Sequence, residues 1–279
     1  MPNIELRPLK RVSTFRKIAL GTWRTTYDPS VYGSLRLRMD RALEYIQAFR
    51  EKTGLRLTVT QMMAKALAAA YTEMPDANAI LRYGRLYLRQ SVDIGFQVAM
   101  TEGEGADEKL DLSAVILRDI QKKTLSDLVT EMDEKVGKVR RRQDKELEKA
   151  RGTFGVMPYS LVYWALRFVS FVSYTLNLDL RWAGLPKDPF GSAMITNIGA
   201  LGLESGYVPL VPYSRCPMLI ALGAVQDEPV IEGGAVVPGK VMRIFATFDH
   251  RVMDGAHAAI MSRVLRKWME NPFEHFDAI

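Results

Sequence analysis

Cysteine occurs once in the 279 residues, at Cys216, and that scarcity excludes an intramolecular disulfide and a cysteine-rich zinc site. Histidine is almost as scarce, with three. The opening stretch MPNIELRPLK has no apolar h-region and no small-residue cleavage site, so the chain reads as cytoplasmic rather than exported. There is no G-x-S-x-G serine elbow, no G-x-x-x-x-G-K-[ST] phosphate loop and no G-x-G-x-x-G dinucleotide turn. A covalent serine triad and the common nucleotide folds are therefore not indicated. Neither an internal repeat nor a Pro- or Ser-rich linker breaks the chain, so residues 1–279 read as one mixed α/β domain.

What remains is an ordinary globular composition: 48% hydrophobic and 25% charged residues, enough to bury a substantial core. The net charge of +6 suits a phosphate-bearing partner such as a nucleotide or coenzyme A. The densest basic run, KVRRRQDK at 138–145, is interleaved with acids and reads as a solvated helix face. No nucleic-acid-binding module accompanies it.

Periodicity sets out the elements. TFRKIALGTWR, 14–24, is a short amphipathic helix with Thr14 placed to cap it. After a turn at Tyr27-Asp28-Pro29, VYGSLRLRMD alternates as a half-buried strand. Asp40 to Lys52 has helical spacing ended by Gly54, and Thr58 or Thr60 caps the alanine-rich helix that Pro75 stops. Residues 79–100 read as two strands, ILRYGRLYLR and VDIGFQVAM, with a turn near Arg89 to Ser91. TEGEGADEKLD reads as a loop, and Ser126 as the cap of a charged helix from Asp127 to about Lys149.

Residues 154–180 crowd seven aromatics among Leu, Val and Ser. Pro158 and Arg167 argue against a membrane span, so the segment is expected to be a buried or subunit-interface helix, ahead of one lying on a membrane surface. The last hundred residues contain three strands, SAMITNIGAL, PMLIALGAV and VVPGKVMRIFATFDH, separated by glycine-bearing turns. A helix from Gly255 to Glu270 follows, stopped by Asn271-Pro272.

One histidine stands out. His250 sits in FDHRVMDG, where the alternating run MRIFATF ends at Asp249 and Gly255 permits a turn into the next helix. Imidazole removes protons near neutral pH when one ring nitrogen is fixed by a hydrogen bond and the other is open. The alternative for such a histidine is a surface ring satisfied by a carboxylate. Asp254 and Arg251 are spaced to pair across the turn, whereas His257 and His275 show no partner pattern.

The stretch DHRVMDGA, Asp249 to Ala256, resembles the D-H-R-x-x-D-G-A motif of the catalytic domain of dihydrolipoyl acyltransferases, which shares its fold with chloramphenicol acetyltransferases. MITNIGALG, 194–202, resembles the family's T-I-S-N-L-G segment at the matching distance upstream. RPLKRVSTFRKIA, LTVTQMMAKALAAAYTEMPDANA, VDIGFQVAM and MENPFEHF resemble further family segments in order. The resemblance implies a two-layer fold, a mixed sheet flanked by helices. It implies His250 as general base toward an acyl-CoA thioester, Thr196 in place of the family's oxyanion-binding serine, and Asp254 holding the turn through an arginine. Asp249, Arg251, Gly255 and Asn197 would support the site. It also implies CoA or acyl-CoA as substrate, no metal, and a homotrimer or multiple of trimers in which His250 and Thr196 come from neighbouring chains.

The sequence departs from the family at three places. No lipoyl domain or flexible Ala-Pro linker precedes the catalytic part, so the lipoyl group is expected on a separate lipoyl or acyl carrier protein or replaced by a small acceptor, with dehydrogenase subunits as further partners. AMTEGEGADEKLDLSAVI replaces the channel-shaping D-T-P-x-G-L stretch. An insertion over about 150–188, which carries the aromatic segment, has no counterpart in the family. Two alternatives remain open: a non-catalytic scaffold trimer of the same fold, and an antibiotic-type O-acetyltransferase.

Overall fold

The computed structural model describes residues 2–8, 29–102, 109–144, 147–149, 152–153 and 157–279. The helix expected over 14–24, and Tyr27 and Asp28 of the following turn, lie outside these residues. Alternation does build a strand, β2 (Ser30–Arg38), after a short β1 (Leu6–Pro8). α1 (Asp40–Thr53) buries Ala42, Tyr45, Ile46 and Phe49 as one stripe, and Gly54, at φ +71°, ends it. Thr58 and Gln61 form a capping box for α2 (Val59–Glu73). This alanine-rich helix is buried on most sides and packs against the later helix Gly255–Glu270.

The segment expected as one strand, ILRYGRLYLR, is a hairpin of β3 (Ala79–Arg82) and β4 (Arg85–Arg89). Its two-residue turn, Tyr83-Gly84, has both φ values positive, at 48° and 71°. Such a turn matches the twist of the flanking strands, but a tyrosine in its first place hides it from composition. β1 joins the hairpin to make a three-stranded sheet in the order β1-β4-β3.

β5 (Ile94–Glu102) and β6 (Lys109–Leu117) pair antiparallel along their whole length, so they take in both ends of the stretch expected as a loop, whose residues 103–108 lie outside the described residues. α3 (Leu125–Arg140) is capped by Thr124, not Ser126, through a capping box with Asp127. It also ends earlier than expected, just before Arg142 enters the left-handed region at φ 55°.

The chain then forms α4 (Tyr159–Ser170), β7 (Ala193–Asn197), β8 (Met218–Glu232), β9 (Ala235–Asp249), α5 (Gly255–Glu270) and the single turn α6 (Pro272–His275). A six-stranded mixed sheet results, ordered β2-β9-β8-β7-β5-β6, with β7 parallel to both of its neighbours. One face meets the helices in a single core that joins Phe49, Leu67, Val129 and Val264 to Phe96, Ile195 and Ile244. The other face carries smaller clusters, Met194 with Leu219 and Ala221 with Phe245, under Val208 and Leu210. The mixed α/β class expected from the sequence is what forms.

α4 is not buried within the chain: Trp164 is 65% and Phe168 68% exposed, and Tyr163 is exposed beside them. Only its C-terminal end tucks in, where Ser170, Tyr174 and Thr175 are buried at a π-helical turn, Phe171–Thr175. Among the described residues no helix is long and apolar enough to cross a membrane.

Candidate active site

The end of β9 is tied down on several sides. Asp249 N–H donates to Pro217 O at 2.9 Å and His250 N–H to Pro29 O at 2.8 Å. The amides of Val252 and Met253 both donate to the Asp249 carbonyl, each at 2.9 Å. The FDHRVMDG segment is therefore a closed turn between strand and helix, and its side chains have little freedom to wander.

Within that turn His250 Nδ1 lies 3.0 Å from Met253 O. A carbonyl oxygen only accepts, so Nδ1 carries the proton and a neutral ring holds its lone pair on Nε2. Asp249, buried, receives Arg251 in a fork: Nε at 2.9 and 3.1 Å and Nη2 at 2.7 Å, with the Arg251 amide at 2.9 Å as well. Asp254 caps α5, accepting from the amides of Ala256 at 3.0 Å and His257 at 3.2 Å.

Arg251 forks onto Asp249, two residues before it, and Asp254 caps α5. His257 has a partner after all, its Nδ1 lying 2.7 Å from Asp254 Oδ1. Gly255 opens the helix without a left-handed φ, and among the described residues a Cβ there meets nothing within 4 Å.

Thr196 lies in β7, half-buried, on the face away from the helices. Asn197 is exposed at the strand's end, its Oδ1 accepting from the Ala200 amide at 3.0 Å and its Nδ2 3.2 Å from Thr60 Oγ1. The following glycine is required. A Cβ on Gly199 would stand 2.5 Å from Ala224 N and 2.6 Å from Gly223 O, so only glycine lets the T-N-I-G turn fold down on β8.

Sheet register places the two residues apart. Thr196 pairs with Ala221, and Ala221 with Phe245, four steps before Asp249 on β9. At about 3.3 Å per residue and about 4.8 Å per strand, Asp249 lies roughly 13 Å along and two strands across from Thr196, and His250 one residue further. β7 is parallel to β8 and β8 antiparallel to β9, so the strand ends at Asn197 and Asp249 point in opposite directions along the sheet. One chain does not bring Thr196 and His250 together.

Each end has its own hollow. Beside Asn197 a shallow one of about 590 Å³ lies between Ile46, Arg50, Thr58 and Val59. At the other end a cleft of about 770 Å³ runs from Asp249 and Arg251 to Tyr163, Trp164 and Phe168 of α4. Among the described residues no group of three or more His, Cys, Asp and Glu side chains is placed to hold a metal ion.

Sequence reasoning missed the fastenings of the 154–188 stretch. Arg89 and Asp188 form a fully buried ion pair. Burial opposes the Arg89 charge, but Asp188 outweighs it and the guanidinium's pKa is raised. Asn177 Oδ1 accepts from the Ile4 amide at 2.7 Å, and Asn3 Nδ2 donates to Ser173 O at 3.0 Å. No spacing rule connects residues 99 or 173 positions apart.

The family profile of the 2-oxoacid dehydrogenases acyltransferase (catalytic domain) matches residues 13–160 and 189–276. Among curated relatives the chain is 24% identical over 222 residues to the dihydrolipoyllysine-residue acetyltransferase component of the acetoin cleaving system of Bacillus subtilis (strain 168), covering 80% of this chain and 44% of that protein. It is 26% identical over 275 residues to the dihydrolipoyllysine-residue succinyltransferase component of 2-oxoglutarate dehydrogenase complex 1, mitochondrial, of Arabidopsis thaliana, covering 98% of this chain and 47% of that one. The chain thus spans about half the length of the curated relatives it matches.

Of solved structures, the dihydrolipoamide acetyltransferase of Azotobacter vinelandii superposes with a TM-score of 0.64 at 22% identity, over 97% of this chain and 93% of that one. A chloramphenicol acetyltransferase superposes at 0.50 and 12% identity, over 95% and 100%. The fold is chloramphenicol acetyltransferase-like, and the chain belongs to the 2-oxoacid dehydrogenase acyltransferase catalytic-domain family.

Proposed function

We propose that the protein transfers an acyl group between coenzyme A and a thiol acceptor of dihydrolipoyl type. Its active site is shared between neighbouring copies, with His250 from one and Thr196 from the next. The observation that carries this reading is the Met253 carbonyl on His250 Nδ1, which leaves Nε2 as the basic nitrogen. The dihydrolipoamide acetyltransferase of Azotobacter vinelandii, studied for the catalytic roles of a serine, a histidine and an asparagine, supports it; its histidine and asparagine are four residues apart, as His250 and Asp254 are here.

Nε2 takes the proton from the acceptor thiol as its sulfur attacks the thioester carbonyl of acyl-CoA. The carbonyl oxygen becomes an oxyanion and accepts a hydrogen bond from the Thr196 hydroxyl. Collapse of the tetrahedral intermediate breaks the bond to CoA, and the departing thiolate takes the proton back from His250. Asp249, Arg251 and Asp254 act on geometry, holding the ring where the thiol arrives, with Gly255 and Asn197 at the margins. The separation of Thr196 and His250 supports a homotrimer, or a multiple of trimers, as the working form.

The acceptor is a dihydrolipoyl group or a free dithiol. Residues 1–279 act as one catalytic domain in the cytoplasm, with residues 150–188 inserted into it. The test is turnover of acetyl-CoA and succinyl-CoA with free dihydrolipoamide. Transfer of either group supports the reading. Absence of transfer from both, in protein that binds CoA by calorimetry, would leave a scaffold of the same fold.

A further inference from the structure

The cleft at the His250 end has an aromatic wall and, among the described residues, a half-buried arginine with no carboxylate partner. Tyr163, Trp164, Leu166, Phe168 and Phe171 stand on one side, with Pro212, Tyr213 and Val252 opposite. Its volume of about 770 Å³ lies in the range of small-molecule sites, and its lining is mainly apolar. Exposed rings in this number, set around a concave surface, are costly to leave in water unless something covers them.

Arg215 supplies the polar element. It sits in the left-handed region at φ 51°, directly after the Pro212–Ser214 turn, and lines the cleft. Its guanidinium donates to Ser170 Oγ at 3.3 Å, Leu81 O at 3.0 Å and Thr175 Oγ1 at 2.9 Å. All three acceptors are neutral, and two of its five N–H donors are left over. Among the described residues no carboxylate lies within ion-pair distance of it, whereas Arg251, also lining the cleft, is already forked onto Asp249. Burial lowers the Arg215 pKa, and the charges of Arg251 and Arg82 lower it further, so the surroundings favour an incoming anion. The third lining arginine, Arg167, is exposed and turned to the Tyr163 hydroxyl at 2.7 Å.

We propose that this cleft binds an apolar monocarboxylate, its head received by Arg215 and its body lying against Trp164, Phe168 and Tyr213. A single charge is specified because Arg215 is, among the described residues, the half-buried arginine of the cleft with no carboxylate partner, Arg251 being forked onto Asp249 and Arg167 standing exposed against Tyr163. The bidentate geometry of a guanidinium suits a carboxylate. The inference rests on the cleft alone and does not require acyl transfer.

The test is calorimetric titration of the assembled protein with octanoate, against octan-1-ol as the uncharged analogue and acetate as the head without a body. Octanoate is expected to bind one per chain, with octan-1-ol and acetate each weaker by at least about tenfold. Arg215→Gln is expected to weaken octanoate by a similar factor, and Trp164→Ala, at a largely exposed position, by several-fold. Should Arg215→Gln fail to fold, the ligand series and Trp164→Ala decide alone. Octan-1-ol binding as tightly as octanoate, no octanoate binding at millimolar concentration, or unchanged affinity in Trp164→Ala would each overturn the proposal. The readout is binding, so loss of turnover in a His250 variant leaves it untouched.

Discussion

Thr196, in β7, and His250, just past β9, stand two strands and five residues of register apart, and β7 and β9 run antiparallel to each other on either side of β8. Either variant alone, Thr196→Val or His250→Ala, is expected to be nearly inactive. Mixed after dissociation and reassembled in equal amounts, the two should regain activity, since about a quarter of the interfaces then pair an intact Thr196 with an intact His250. Assay of the mixture against each parent checks this, and a mixture no more active than its parents would place the whole site in one chain.

Asp249 and Arg251 form the polar clamp of the turn. Asp249→Asn removes the carboxylate that the guanidinium grips at 2.7 Å, and is expected to lower stability by about 1–3 kcal/mol in urea unfolding. A displaced ring also lowers kcat, by up to about 100-fold, with little change in the KM for acyl-CoA. Wild-type stability and kcat in this variant would show that the backbone bonds alone hold the turn.

Asp254 acts on the helix that follows. Asp254→Ala is expected to cost about 1–2 kcal/mol of stability through loss of the cap on the Ala256 and His257 amides. Asn or Ser at that position should restore most of it, as thermal or chemical unfolding would show. An alanine variant as stable as the wild type would mean that other groups cap α5.

Burial pushes the Cys216 thiol up to about 12, with Asp188 adding to the shift and Arg89 opposing it. At pH 8 the folded protein should not react with Ellman's reagent, and one thiol per chain should react once guanidinium unfolds it. Because the folded pKa is the higher one, its contribution to stability is complete below about 8.5, where the unfolded thiol ionises, and is lost as pH rises toward 12. Rapid labelling of the folded protein at pH 8 would contradict the burial.

The elements legible in the sequence are those with local causes. β2 follows from alternation, and α1 and α2 from their apolar stripes with Gly54 and Thr58 at their ends. The Tyr83-Gly84 hairpin was hidden because tyrosine rarely takes a positive φ. α3 starts two residues earlier than expected because Thr124, not Ser126, has an acid three residues on to close the box. At the candidate site, sequence pointed to His250, Asp254 and Thr196 as single positions. Their relative placement was not legible, since strand order and direction decide it. The Asp249–Arg251 fork forms in the turn after β9, where neither the helix nor the strand period applies. The exposure of α4 was unreadable for the same reason: an aromatic-rich helix looks the same whether a core or a groove receives its rings.

The most direct measurement is steady-state acyl transfer from acyl-CoA to dihydrolipoamide by the wild type and His250→Ala, each as assembled protein with matched circular dichroism. The reading predicts a loss of about 10²–10⁴ in kcat/KM with CoA binding retained, the usual contribution of a positioned base. A His250→Ala protein that transfers the acyl group at the wild-type rate would contradict it.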